Sequence, residues 1–316
     1  MTGRELRVTP AGAMKRPTSH APASRGTLAS MPPMRPLADA RARAEGASLV
    51  ATRLGTVRAA VRGSGPHVVL IHGVTESADT WLDVAARLAP HATTHAIDLP
   101  GHGLTDIPAA PLGVGDAARW VVAYLEAAAI ERAVVVGWSL GGGVALGVAH
   151  QAPERVRGLV LLGSIGVGFP MPFALGLLRL PGVGEWMPRI GRRPLLRRVA
   201  MRDTYARGFR PSEAAMDRYW GSWGVEGRAP YLRALLRTLD AGEPAGWLAS
   251  IAAPTRVVHG DEDRLVPVRV AREVAARLPR ATLRVLERTG HAPHLERPDE
   301  VHDEIAQMLT RDDGAP

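Results

Sequence analysis

Three side chains that together can transfer an acyl group, a serine, a carboxylate and a histidine, each stand just behind an apolar run in this chain. Ser139 lies in Gly137-Trp138-Ser139-Leu140-Gly141, directly after Val134-Val135-Val136. The spacing matches Gly-x-Ser-x-Gly, in which the serine occupies a strained strand-to-helix corner and its hydroxyl stands above a sheet. Glycine is needed two residues either side, because a Cβ there would collide with the neighbouring strand or helix. Asp263 follows the apolar run 255–260, and His291 follows the run 282–286. A serine hydroxyl needs a base to take its proton, and the base needs a carboxylate to orient it. The order Ser139, Asp263, His291, each at the end of a predicted strand, points to two-step acyl transfer. Asp261 and Glu262 compete for the acid's role, because a predicted strand end can be off by two residues.

The oxyanion formed when a serine attacks a carbonyl needs two fixed N–H donors. Leu140 N–H, at the start of the helix after Ser139, is one candidate, and Val74 N–H, in the loop His72-Gly73-Val74, is the other. His72 reads as a structural imidazole bonded to backbone. A zinc site at His291-x-x-His294 is the competing use of these rings. Against it, there is no His-Glu-x-x-His helix, and the 11 histidines fall mostly at separate strand ends. No metal and no cofactor is expected.

The elements that must position these residues follow from the hydrophobic pattern. Residues 47–52 and 56–62 read as an edge hairpin, buried strands are predicted at 68–71, 93–97, 134–137, 158–162 and 255–260, and a last strand at 282–286. Helices are predicted over 80–88, 116–129, 268–278 and 298–309. Alternating strands and helices with apolar strands predict an α/β fold, a mostly parallel sheet covered on both faces, which binds ligands beyond the carboxyl ends of its strands. The alternation stops between Gly163 and Trp247. That stretch is cut by Pro170, Pro172, Pro181, Pro188, Pro194 and Pro211, and it holds Trp186, Trp220, Trp223 and Trp247. It reads as a helical cap, 164–247, inserted into a core of 47–163 and 248–316 and restricting water over the carboxyl edge. Its arginines, Arg189, Arg192, Arg193, Arg197, Arg198 and Arg202, read as a solvated helix face, with an anionic substrate or membrane lipid as the alternative.

The net charge of +8 raises the question of nucleic acid. Residues 1–45 carry eight Lys or Arg against three acids, which leaves only +3 for the remainder. The basic character therefore belongs mostly to a Pro-, Ala- and Arg-rich stretch, 1–46, that reads as a disordered tail. No nucleic-acid partner is expected of the body. No apolar run approaches the length of a membrane span, so stable membrane insertion is not expected. The amino-terminal stretch lacks the apolar segment of a secretory signal, and a cytoplasmic location is expected. Cysteine is absent, which excludes disulfides, thiolate metal sites and a cysteine nucleophile.

From Ala47 to Arg311 the sequence resembles the α/β-hydrolase family. The pieces that carry the resemblance are His72-Gly73, Asp98-Leu99-Pro100-Gly101-His102-Gly103, the elbow through Gly142, Gly260-Asp261-Glu262-Asp263 with Val266-Pro267, and Gly290-His291 with His294-Leu295-Glu296-Arg297-Pro298. The resemblance implies an eight-stranded sheet with an inserted cap, and a serine hydrolase with Ser139 as nucleophile, Asp263 as acid and His291 as base. Haloalkane dehalogenases and epoxide hydrolases place aspartate at the elbow, so Ser139 argues against both. Members that cleave carbon–carbon bonds in ring-fission products often carry a tryptophan shortly after the histidine, where Leu295 stands here. The expected activity is hydrolysis of a carboxylic ester or related acyl bond in a small, largely apolar substrate. The alternatives are carbon–carbon bond hydrolysis and a non-catalytic binding protein on the same fold.

Overall fold

The computed structural model describes residues 46–186, 193, 201–223 and 225–311. The predicted tail, apart from Gly46, and Arg189, Arg192, Arg197 and Arg198 of the arginine run lie outside these residues. Among them, the apolar runs form eight strands: β1 (Ser48–Thr52), β2 (Gly55–Arg62), β3 (His67–Ile71), β4 (Thr93–Ile97), β5 (Ala133–Trp138), β6 (Val156–Leu162), β7 (Thr255–Gly260) and β8 (Ala281–Leu286). They make one sheet in the order β1-β2-β4-β3-β5-β6-β7-β8. Only the β1–β2 and β2–β4 pairs are antiparallel, and β3 to β8 run parallel. The central strand β5 is buried at every position, as its uninterrupted Val run demands. β8, at the sheet's edge, is largely exposed or half-buried and ends on buried Leu286.

Among the described residues the helices are α1 (Leu82–Leu88), α2 (Val114–Ala127), α3 (Leu140–Gln151), α4 (Phe173–Leu177), α5 (Glu213–Ser222), α6 (Arg228–Thr238), α7 (Val268–Arg277), α8 (Pro293–Glu296) and α9 (Pro298–Thr310). Every residue of α3 from Leu140 to Ala149 is buried, so this helix lies inside the molecule rather than on it. Two helix starts differ from the sequence reading for one reason: a distant carboxylate takes their free N–H groups. Glu243 accepts from Val114 N and Gly115 N at 2.8 and 2.9 Å, which begins α2 two residues early. Asp98 accepts from Ala78 N at 2.6 Å, which starts a short 3-10 turn ahead of α1.

Between β6 and β7 there is no strand among the described residues; α4, α5 and α6 take their place. This inserted segment lies over the carboxyl edge of the sheet. Ser222 Oγ donates to Thr75 O behind β3, and Arg228 donates to Glu76 O at 2.7 Å. The Tyr231 ring covers Gly101 behind β4 so closely that a Cβ there would overlap it. Behind β8, His291 N donates to Thr204 O at 2.7 Å. No helix among the described residues is long and apolar enough to cross a membrane.

Candidate active site

The strand-to-helix corner forms at Ser139. Its φ of 55° and ψ of −117° put a non-glycine residue in a strained conformation, held because the surroundings fix it from both sides. Ser139 N donates to Leu162 O at the end of β6, and Ser139 O accepts from Gly142 N and Ile165 N. Both flanking glycines are required. A Cβ at Gly137 would overlap the Gly141 carbonyl of α3, and one at Gly141 would overlap the Ile71 and His72 carbonyls at the end of β3.

The structure brings Asp263 and His291 into direct contact, with His291 Nδ1 2.7 Å from Asp263 Oδ2. Asp263 is fixed by four groups in all. Leu265 N and Val266 N donate to Oδ1 at 2.9 and 2.8 Å, and His259 Nε2 lies 3.2 Å from Oδ2. Burial pushes this carboxyl up, but the His291 ring and the hydrogen bonds from His259 and His291 outweigh it and hold Asp263 well below the usual carboxylate range. The rival acids are engaged elsewhere. Asp261 accepts from Thr289 N, and Glu262 accepts from Arg207 N.

A proton held on His291 Nδ1 by Asp263 leaves Nε2 as the acceptor, which is the tautomer a general base needs. The Trp138 indole donates to His291 O at 2.6 Å, so the residue before the serine braces the base loop. No hydrogen bond joins Ser139 Oγ to His291 among the described residues; contacts of this kind commonly tighten only with substrate bound.

The loop behind β3 presses on the corner, with an ideal Gly73 Cβ 3.2 Å from Ser139 Cβ. Val74 is the next residue, and Leu140 opens α3 on the other side. His72 keeps the loop in shape. Its Nδ1 meets Gly73 O at 2.7 Å and its Nε2 accepts from Leu99 N at 2.9 Å. Burial pushes its pKa down to about 4, so it stays neutral and serves as the structural imidazole expected. His294 bonds Thr80 Oγ1 at 2.9 Å, with its ring centroid 4.7 Å from Trp81 and 4.5 Å from Trp138. Among the described residues no group of three His, Cys, Asp or Glu is arranged to hold a metal ion.

Against known proteins, the family described as "Alpha/beta hydrolase family" matches residues 68–304. The chain belongs to the α/β-hydrolase family. This α/β-hydrolase is 35% identical over 252 residues to the pimeloyl-[acyl-carrier protein] methyl ester esterase of Xanthomonas campestris pv. campestris, covering 79% of this chain and 97% of that one. Among solved structures it resembles Est816, described as an N-acyl homoserine lactone degrading enzyme, at 27% identity and a TM-score of 0.68, covering 82% of this chain and 98% of that one. It also resembles the 2-hydroxy-6-oxo-6-phenylhexa-2,4-dienoate hydrolase of Rhodococcus sp. strain RHA1, at 25% identity and a TM-score of 0.73, covering 84% and 98%. The protein is thus an α/β-fold hydrolase of the esterase-like kind.

Two carboxyl groups of this hydrolase's site were not singled out from sequence. Glu296, in α8, accepts from Gly290 N, Ala292 N and Ala206 N at 2.9 to 3.3 Å. It clamps the loop that carries His291 to the inserted segment. The second is Glu76, in the turn after Val74, which is 6% exposed. Burial pushes its pKa up to about 8 against the opposing pull of Arg228 and Arg218. The only sequence signal for either was an acid close to a site residue, Glu76 two after Val74 and Glu296 five after His291.

Proposed function

We propose that the protein hydrolyses a carboxylic ester or related acyl bond of a small, largely apolar substrate through an acyl-enzyme on Ser139. The observation that carries this reading is the 2.7 Å Asp263–His291 contact at the edge where the strained Ser139 corner stands. In the first step His291 Nε2 takes the Ser139 proton and Oγ attacks the carbonyl. Val74 N–H and Leu140 N–H hold the oxyanion, and Asp263 stabilises the imidazolium. The alcohol leaves with the proton from His291; water, deprotonated by the same ring, then releases the acid. Residues 164–247 act as the cap that shields this chemistry from bulk water.

An acyl–oxygen substrate is supported by two of the likenesses, one to a protein named a methyl ester esterase and one to a lactone-degrading enzyme. The test is intact-mass labelling with a fluorophosphonate. A single adduct on the wild type, lost in Ser139→Ala and slowed in His291→Ala, is expected, together with turnover of p-nitrophenyl esters. A folded wild type that takes no adduct from this probe or from a smaller organophosphate, and cleaves no ester, refutes the reading.

A further inference from the structure

Exposed large apolar side chains are few among the described residues, and half of them fall in one short stretch. Phe173 is 82% exposed, Leu177 41%, Leu180 51% and Trp186 59%. The first three are spaced four and three apart. The turn of α4 continues past its end, with Leu178 N, Arg179 N and Leu180 N donating three residues back, so these side chains form a single stripe. The opposite side faces inward, where Leu178 is buried and Leu175 packs on the core. The amphipathic segment therefore turns its apolar side outward, the reverse of what a solvated surface helix does.

The charge around the stripe is basic. Arg179 lies in the same stretch, to the side of the stripe, and donates to Arg237 O of α6 at 3.4 Å, which leaves its charge uncompensated by that bond. Arg237 is exposed beside it. The one acid of the stretch, Glu185, is paired with Arg233 of α6 at 2.5 Å. Arg179 of the stretch and Arg233 and Arg237 of the adjoining α6 thus outnumber the one acid beside them, Glu185.

We propose that this face of the inserted segment, Phe173, Leu177 and Leu180 framed by Arg179 and Arg237, rests on the surface of an anionic phospholipid bilayer. Apolar side chains sink to the headgroup boundary while guanidinium groups meet lipid phosphates, the arrangement of a peripheral interfacial helix. A second copy of the chain would also bury the stripe, but placing like-charged arginine rims face to face is unfavourable, whereas an anionic surface complements them. The contact is peripheral and does not use Ser139.

The test is sedimentation of the full chain with vesicles of phosphatidylcholine alone and of phosphatidylcholine with an equal part of phosphatidylglycerol. Binding to the anionic vesicles is expected, weakened about tenfold by the triple variant Phe173→Ser, Leu177→Ser, Leu180→Ser and reduced by high salt. A second variant, Arg179→Glu with Arg237→Glu, is expected to lose the preference for phosphatidylglycerol. Both are expected to retain the wild-type thermal transition, which shows that lost binding is not lost folding. No binding to anionic vesicles overturns the proposal, as does equal binding by the triple variant. So does a dimer in sedimentation velocity that the triple variant dissociates.

Discussion

Replacing Glu296 by alanine tests whether the inserted segment and the base loop act as one body. Its carboxyl accepts N–H groups from Gly290 and Ala292, the residues either side of His291, and from Ala206 of the inserted segment. All three donors are buried. Leaving a buried donor unsatisfied costs roughly 1–3 kcal/mol, so three of them bound the loss at about 3–9 kcal/mol; partial rescue by entering water places the expected value near the lower end, at about 3–4 kcal/mol. Two of the lost bonds fix the loop that aims His291, and a displacement of about 1 Å at a reacting group costs on the order of 100-fold in rate. Glu296→Ala should therefore lower kcat for a p-nitrophenyl ester about 100-fold, with KM changed much less, and lower the urea midpoint. Glu296→Gln, which keeps an acceptor oxygen, should fall between the two. The pair is measured by urea unfolding, steady-state kinetics and the rate of fluorophosphonate labelling. If Glu296→Ala unfolds at the wild-type urea concentration and reacts at the wild-type rate, the clamp has no role in placing His291 and the reasoning fails.

Asp263→Asn should leave the fold in place but favour the wrong His291 tautomer, lowering kcat about 10⁴-fold, as read by labelling and ester hydrolysis. Gly141→Ala forces a Cβ into the Ile71 and His72 carbonyls and should cost roughly 2–4 kcal/mol in thermal or urea unfolding; Gly176→Ala, where nothing lies within 4 Å, should change stability by less than about 1 kcal/mol. Glu76 gives a pH dependence. Its folded pKa is raised from 4.5 to about 8, so between these values the folded state holds a proton that the unfolded state has released, and stability falls as pH rises through that window. The loss is up to about 5 kcal/mol. Glu76→Gln should remove that slope, and parallel melting curves for the two proteins from pH 5 to 9 would show the account to be wrong.

The strands and the reacting residues were legible because each rests on a local pattern. The β-branched Val134–Val136 run, cut off at Gly137, reads as a buried strand, and the glycines at 137 and 141 belong to the elbow pattern around Ser139, where a Cβ at 137 would overlap the Gly141 carbonyl. Asp263 and His291 could be placed because each follows a strand directly. What could not be read depends on partners distant in sequence. Glu243 starts α2 from 129 residues away, and the rotation that brings Asp263 rather than Asp261 or Glu262 onto His291 is set by Leu265 N and Val266 N. The sheet order, with β4 outside β3, is likewise a matter of tertiary packing. The role of Glu296 was hidden for the same reason, since one of its three donors comes from Ala206, 90 residues earlier.

The Glu243 contact also bears on how such a protein could be recombined. Glu243 stands near the downstream end of the inserted segment, yet its carboxylate completes the start of α2 in the core. Trp247 stacks on His150 of α3 with ring centroids 5.5 Å apart and planes within 7°. A chimera that exchanges the segment as far as Trp247 would strip both contacts from the recipient scaffold. One that rejoins the host chain just after Leu239 would keep them, so the natural seam for grafting a foreign lid lies several residues before the point at which the helices visibly give way to β7.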